Sequence, residues 1–253
     1  MSFAQQKITA VASSASRAPP RGAGREAHAD VDRIIRGRFA CRAFTSRAVP
    51  QQTIADILDV ARFAPSGANI QPWRVYVVGG AKKDEISRAL LQAHEEARDQ
   101  HTSEYQYYAS QLPEPYLSRR HQFGRLFYGS LDIEQSDMAG RAQQTAKNYG
   151  FFGAPVGLIM TIDRRLDVGS WLDLGMFIQN VMIAAGARGL QTCPQETFAK
   201  YHALLRTLLP IRPEEMVVCG MSIGFAEDDC RNKGSLMPKA AVEEFSQFIG
   251  FED

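Results

Sequence analysis

The spacing of apolar positions along the chain predicts long helices and a few short strands. Apolar residues recur at helical spacing at residues 30–37, 51–63, 82–101 and 172–187, and the last segment is apolar on its other faces too. Strands are predicted at the short runs of β-branched and apolar residues 74–78, 156–162, 190–193 and 216–223. Because the strands are few and do not alternate regularly with helices, the pattern predicts an α+β fold.

Composition divides the chain into a short leader and one domain. Residues 1–29 are rich in Ala, Ser, Arg, Pro and Gly and contain no sustained apolar segment. We expect a disordered tail there rather than a secretory signal, with an organellar transit peptide as the alternative. Residues 30–253 are expected to form one domain. Within it, residues 103–148 are polar and aromatic, and we expect this helical insertion to lie near the substrate site.

Charge and cysteine usage exclude several classes of function. A net charge of +1 gives no case for a nucleic-acid partner. No apolar run approaches the ~18 residues of a membrane span, so no membrane partner is expected. The histidines show no metal-ligand spacing, and no metal site is expected. We expect reduced thiols, and hence a cytoplasmic protein, because no CxxC pair occurs among Cys41, Cys193, Cys219 and Cys230.

One motif matches the nucleophile elbow of esterases. Residues 220–224 read Gly-Met-Ser-Ile-Gly and follow a predicted strand, as the elbow requires. The elbow also needs a helix after it and a histidine later in the chain. Residues 225–231 have no helical pattern, and no histidine follows His202. We therefore interpret the match as the end of a strand and not as a hydrolase site.

Two stretches in the first third of the chain carry the clearest chemistry. Arg38 and Arg42 stand four residues apart in Arg-Phe-Ala-Cys-Arg, and two guanidinium groups can offer forked, permanent charges to one phosphate. Residues 64–73, Ala-Pro-Ser-Gly-Ala-Asn-Ile-Gln-Pro-Trp, break an amphipathic helix and present hydroxyl and amide groups. Together they suit a ligand with a phosphate at one end and a heteroaromatic ring at the other.

These stretches belong to a series of motifs, in order over residues 30–250, that resembles the FMN-dependent nitroreductase family. The other motifs are Gly189-Leu-Gln-Thr-Cys-Pro-Gln195 and Cys219-Gly-Met-Ser-Ile-Gly224. Residues 151–155 and 169–175 are also similar to the branch that contains nitrobenzoate and nitrophenol reductases. Flavin performs the hydride chemistry in this family, so the resemblance accounts for the lack of a triad or an acid–base pair in the sequence.

The resemblance implies an α+β sandwich with a central, mostly antiparallel sheet flanked by helices. Residues 30–253 would form the FMN-binding domain of an intertwined homodimer, with FMN at the subunit interface. One subunit would contact FMN through Arg38, Phe39, Ala40 and Arg42, and the other through Pro65, Ser66, Gly67, Asn69 and Gln71. A turn along the flavin ring, with the Glu196 N–H at flavin N5, would comprise Pro194, Gln195, Glu196 and Thr197. The phosphate would also meet Lys233 and Lys239.

Two departures from the family pattern concern the phosphate end of FMN. Phe39 and Ala40 stand where the family often has His-Ser or Arg-Ser, so a hydroxyl near the ribityl phosphate is lost. Lys239 stands where relatives usually have arginine, and its spacing from Asn232 is one residue longer. Phosphate binding is therefore expected to rely more heavily on Arg38.

The activity implied by the resemblance is reduction of nitroaromatic compounds by NAD(P)H through FMN. Hydride would pass in two-electron, ping-pong steps and give nitroso and then hydroxylamino products. The expected substrate-binding residues, which offer rings for stacking and charges for a carboxylate or phenolate, are Arg119, Arg120, Phe123, Phe127 and Tyr128. The alternative is that these side chains only pack the insertion or the dimer.

Other activities remain open on the same fold. They are quinone or enone reduction, reductive dehalogenation and flavin fragmentation. A flavin-binding protein without turnover is a further alternative.

Overall fold

Helices cover both faces of one antiparallel sheet in the computed structural model, which describes residues 24–230 and 237–251. The helices are α1 (Gly24–Gly37), α2 (Gln51–Ala61), α3 (Gly80–Glu96), α4 (Tyr116–Gly129), α5 (Met138–Ala146), α6 (Val168–Gly186) and α7 (His202–Leu208). The strands, in the sheet order β1-β2-β4-β3, are β1 (Trp73–Gly79), β2 (Val156–Asp163), β3 (Gln191–Gln195) and β4 (Glu215–Gly224). Each neighbouring pair is antiparallel, which confirms the predicted α+β class and its sheet.

The predicted elements are confirmed in kind and differ at their ends. α1 begins at Gly24, within the stretch predicted as tail, and residues 1–23 lie outside the described chain. α3 ends at Glu96 rather than near residue 101. There the backbone at Ala97 (φ −140°) leaves the helical region before a short 3₁₀ turn at Arg98–Gln100. Both differences fall in polar segments, where apolar periodicity gives no signal.

Two hydrophobic clusters, one on each face of the sheet, hold the layers together. β2 alternates between them, because Ile159 belongs to the first cluster and its neighbours Leu158 and Met160 to the second. The first cluster packs the sheet against α3 and α7, through Ile86, Leu90, Phe198, Tyr201 and Leu205. The second packs it against α2 and α6, through Ile54, Ile57, Leu174, Phe177 and Val181. The result is a helix–sheet–helix sandwich.

The long helix α6 is apolar because it lies in the second cluster. Its 19 residues are long and apolar enough to cross a membrane, by length and composition alone. The expectation that no segment approaches such a span was therefore wrong in that limited sense. Leu174, Phe177, Val181 and Ala185 of this helix are buried against the rest of the protein. Core packing accounts for these buried positions of the helix.

Two glycines of the sheet admit aromatic rings at close range. A Cβ atom on Gly220 would lie 2.6 Å from Cδ2 of Phe198, and one on Gly157 would overlap the ring of Phe151. Both rings are fully buried in the first cluster. Gly220 of β4 pairs with Gln195, the last residue of β3. The contact of the Phe198 ring with Gly220 therefore holds the chain in place just after β3 ends.

We expect Gly220→Ala to destabilise the protein by about 1–3 kcal/mol, the usual cost of overpacking a close-packed core. Equilibrium unfolding in urea measures the change. Gly37→Ala is the matched control, because nothing lies within 4 Å of the added methyl group at that position. Equal stability of the two variants would contradict the close approach of Phe198.

Candidate functional site

The arginine segment, residues 38–42, lies alongside the first half of β3. Ala40 forms a parallel bridge with Thr192, and the N–H of Cys41 donates to the carbonyl of Thr192 at 3.0 Å. Cys41 is fully buried in the first cluster, next to the sheet. Since β3 runs straight on to Gln195, this pairing places the segment next to the strand that enters the predicted flavin turn.

The positive charges of Arg38 and Arg42 both affect the Cys193 thiol of β3. Burial raises the pKa of the Cys193 thiol to about 11, and the charges of Arg42 and Arg38 oppose that rise. Arg42 donates to the carbonyl of Ala40 at 3.4 Å. Arg38 makes no side-chain hydrogen bond or ion pair within residues 24–230 and 237–251, and it is partly exposed. The pair can therefore receive an anion.

Arg42 also connects the arginine segment to α4. Its guanidinium lies over the ring of Phe127, 4.5 Å from the centroid, and 5.8 Å from the centroid of Phe123. These two rings stack at 5.4 Å, and Phe127 contacts Tyr128 at 5.1 Å. A cation above an aromatic face is attracted by the ring quadrupole. Arg42, which was predicted to contact the cofactor, thus lies against a group of three rings that were predicted to contact the substrate.

The polar turn, residues 65–71, is held in an unusual backbone shape. Ala68, Asn69 and Gln71 have positive φ angles of 47°, 57° and 51°. The N–H of Gln71 donates to Oγ of Ser66 at 3.0 Å, and its side-chain amide donates to the carbonyl of Asn69 at 3.1 Å. Non-glycine residues in this region carry backbone strain, which their surroundings must offset.

A buried carboxylate of α6 anchors the polar turn. Asp173 is 8% exposed and accepts a hydrogen bond from the N–H of Gly67 at 3.1 Å. The turn itself stays largely open to solvent, with Pro65, Gly67, Asn69 and Gln71 exposed. Sequence reasoning missed Asp173. An acidic residue inside an otherwise apolar helix was the available signal, because a buried charge needs a partner.

β3 ends in the turn that was predicted to follow the flavin ring. Gln195 is buried, and its side chain links two elements: it accepts from Oγ of Ser222 at 2.7 Å and donates to the carbonyl of Asn148 at 2.7 Å. Only its backbone is left for a ligand. Pro194 is exposed, and burial raises the pKa of the Glu196 carboxyl group.

The same contact decides between the two interpretations of the esterase motif. Ser222 is fully buried inside β4, which continues to Gly224, and its hydroxyl is engaged with Gln195. A nucleophile elbow would instead expose the serine on a sharp turn. The interpretation as a strand end is confirmed, although residues 228–230 are helical and the expectation that no helix follows the motif was wrong.

The arginine segment and the polar turn are attached to opposite faces of the sheet. Cys41 of the segment lies in the first cluster, whereas the turn is fixed by Asp173 to α6, which lies in the second. Within the described chain, no hydrogen bond, ion pair or ring contact joins the two stretches. Within the described chain, the two stretches predicted to contact FMN are therefore held in place separately.

A cavity of about 400 Å³ lies between α4 and the stretch after residue 236. Its lining includes Arg119, Phe123 and Lys239, together with Glu244, which pairs with Arg119 at 3.3 Å. Lys239, predicted at the phosphate, thus shares a cavity with residues predicted at the substrate. Lys233 lies outside the described residues.

Tyr105, an aromatic residue of the predicted insertion, lies near Glu196 and pairs with Trp171, which was not predicted at the site. Tyr105 packs edge-on against Trp171 with 4.8 Å between ring centroids, and its hydroxyl donates to the carbonyl of Val218 at 2.6 Å. Burial, and secondarily the nearby charge of Glu196, raise the pKa of Tyr105. The aromatic composition around residues 105 and 171 was the only signal in the sequence.

Comparison with known proteins agrees with this arrangement. The sequence pattern of the nitroreductase family matches residues 35–225. The chain belongs to the nitroreductase family. It is 40% identical over 223 residues to 4-nitrobenzoate reductase of Pseudomonas putida, covering 88% of this chain and 97% of that protein. It is 39% identical over 219 residues to chloronitrobenzene nitroreductase of Comamonas testosteroni, covering 87% and 96%.

Solved structures of nitroreductases share the fold. The FMN- and NADPH-dependent nitroreductase NfnB from Sphingopyxis sp. strain HMH superposes with a TM-score of 0.84 at 34% identity, covering 87% of this chain and 99% of that one. NfnB from Mycobacterium smegmatis, solved with NADPH, gives 0.83 at 30% identity, covering 88% and 99%. The predicted family and its nitrobenzoate branch are confirmed.

We expect Asp173→Ala to weaken the fixation of the polar turn. The variant leaves the Gly67 N–H without its charged acceptor, and hydrogen bonds to charged groups contribute about 1.5–3 kcal/mol. Urea unfolding should show a loss of this size. Asp173→Asn is the control, because its amide oxygen can still accept the bond. If the alanine and asparagine variants are equally stable, the anchoring role is refuted.

Proposed function

We propose that this chain is an FMN-dependent NAD(P)H oxidoreductase that reduces nitroaromatic compounds. The observation that carries the proposal is the pairing of the arginine segment with β3, which sets two cationic side chains beside the strand leading into Pro194. Similarity over most of the chain to reductases named for nitrobenzoate and chloronitrobenzene supports the choice of substrate class.

The residues of the two proposed half-sites, the arginine segment and the polar turn, fit FMN. Arg38, which has no partner in the described chain, offers a forked cation to the phosphate, and Lys239 offers a point charge. Arg42 supplies a permanent positive charge that suits the ring when it gains electrons. Asn69 presents an exposed amide on a turn whose shape is already fixed. We further propose that the Glu196 N–H faces the ring and that Phe39, Ala40 and the Pro194–Thr197 backbone complete the contacts.

FMN, when bound, would supply hydride transfer between NAD(P)H and the nitro group. The chain itself has to bind, orient and shield the reactants. Ser222 is consistent with this, because its buried hydroxyl donates a hydrogen bond to the side chain of Gln195 and so has a structural role. We propose that dinucleotide and nitroarene occupy the same place in turn. Two two-electron steps then lead from the nitro compound to the nitroso and the hydroxylamino product.

The rings of α4 are the proposed platform for the aromatic substrate. Phe123, Phe127 and Tyr128 form a continuous series of ring contacts that begins under Arg42. A further planar ring can extend such a series by stacking. The series therefore supports a substrate site close to the arginine segment.

The two arginines of α4 differ in their readiness to attract a carboxylate. Arg119 already pairs with Glu244 at 3.3 Å, so its charge is partly neutralised. Arg120 is exposed, lies 5.0 Å above the ring of Tyr108, and forms no ion pair with any acid among the described residues. We infer that Arg120 contributes more than Arg119 to binding a nitrobenzoate.

A second copy of the chain is the proposed source of the missing half-site. α6 exposes Val168 (73%) and Leu172 (69%), and the C-terminal stretch exposes Phe248 and Phe251. Large exposed apolar side chains of this kind favour association. In the proposed homodimer, the polar turn of one copy meets the arginine segment of the other, and FMN lies at the interface. We also propose that the dimer works in the cytoplasm.

We expect FMN-loaded protein to oxidise NADPH when 4-nitrobenzoate is added, under air as well as under argon. Two-electron transfer leaves no nitro radical that oxygen could re-oxidise. NADPH absorbance gives the rate, and chromatography identifies the hydroxylamino product. Protein stripped of flavin is the control. Turnover of quinones without reduction of any nitrobenzoate or nitrophenol would overturn the proposal in favour of the alternative activity.

A further inference from the structure

Two cysteines from distant parts of the sequence meet at the inner side of the arginine segment. The Sγ atoms of Cys41 and Cys230 are 3.3 Å apart, although 189 positions separate the residues in the chain. Cys41 is fully buried and Cys230 is 7% exposed. Both thiols are free, and both belong to the first hydrophobic cluster. Their contact is a product of the fold and not of sequence proximity.

The two sulfur atoms have different hydrogen-bond partners. The backbone N–H of Arg42 donates to Sγ of Cys230 at 3.3 Å, while Sγ of Cys41 donates to the carbonyl of Ala43 at 3.1 Å. The Cys41 thiol and the N–H of Arg42 both stabilise a negative charge on Cys230, and they lower its pKa. The contact with the Cys230 thiol, and after it burial, raise the pKa of Cys41. Cys230 is thus the nucleophile of the pair, because the thiolate is the reactive form.

We propose that Cys41 and Cys230 are a reversible redox pair that a peroxide converts into a disulfide. The Cys230 thiolate attacks one oxygen of hydrogen peroxide, the O–O bond breaks, and the released hydroxide takes up the proton that Cys230 had lost. Cys230 is then a sulfenic acid. The sulfur of Cys41 then bonds to the sulfur of Cys230 and displaces the hydroxyl group. This group takes up the proton of Cys41 and leaves as a second water. Two thiols lose two electrons in total, and the peroxide gains them.

The position of the pair gives this modification a structural consequence. Cys41 lies between the two arginines of the segment, and Cys230 follows the end of β4 at Gly224 by six residues. A disulfide brings its sulfur atoms to about 2.05 Å, so the pair must close from its present contact distance. The closure ties the arginine segment covalently to the beginning of the C-terminal stretch.

Cys193 is the competing partner, and Cys219 is the control. Cys193 belongs to the same cluster and acts electrostatically on Cys41. Cys219 lies on β4 in the second cluster, where it pairs with Met160. Substituting Cys219 therefore leaves the proposed pair intact, whereas substituting either member removes it.

The test is a titration of the FMN-loaded protein with hydrogen peroxide, followed by thiol counting and non-reducing mass spectrometry. We expect the count to fall from four thiols to two, the mass to fall by two hydrogen atoms, and tandem spectra to link Cys41 to Cys230. Dithiothreitol should reverse all three changes. Cys219→Ser should keep the link, and Cys41→Ser and Cys230→Ser should each abolish it.

Several results would overturn the proposal. They are a link through Cys193, oxidation to sulfinic acid without pairing, and equal thiol loss in wild type and Cys230→Ser. The wild-type measurement stands even if a serine variant fails to fold. It is also independent of the proposed enzymatic function, because a chain with no nitroreductase activity would still form the disulfide.

Discussion

The backbone hydrogen bond from Cys41 to the carbonyl of Thr192 is the contact on which the site depends. With the Ala40–Thr192 bridge, it attaches the arginine segment to β3 and so fixes two cations relative to the turn that follows. β3 in turn is held by its ladder with β4 and by the buried bond between Gln195 and Ser222. The position of the charges is therefore set by the core and not by flexible side chains alone.

The polar turn obeys a separate constraint. Its three non-glycine residues with positive φ persist because Ser66 and Asp173 satisfy two of its N–H groups. The support from Asp173 comes from α6, on the face of the sheet opposite to the arginine segment. In the proposed homodimer, a cofactor that needs both half-sites would bridge two copies of the chain. This division would give the proposed homodimer a chemical reason beyond the burial of apolar surface.

Sequence reasoning reached the fold and the family because the signals for both are local. Apolar spacing marks α2 and α6, short apolar runs mark the four strands, and the motifs around Arg38 and Asn69 are contiguous. It did not reach contacts that depend on tertiary packing. The contacts that it did not predict are the hydrogen bonds of Gln195 with Ser222 and of Asp173 with Gly67, and the stacking of Arg42 on a ring of α4. These partners are far apart in the chain, and nothing local specifies them.

The central claim, that each FMN site is shared between two copies, can be measured with a mixed dimer. Arg38→Ala impairs one half-site and Asn69→Asp the other, so each homodimer should lose FMN. Co-expressed with different tags and purified through both, the heterodimer contains one site with both substitutions and one with neither. FMN absorbance should then show one flavin per dimer. A heterodimer as empty as its parents would contradict the shared site and place both half-sites within a single chain.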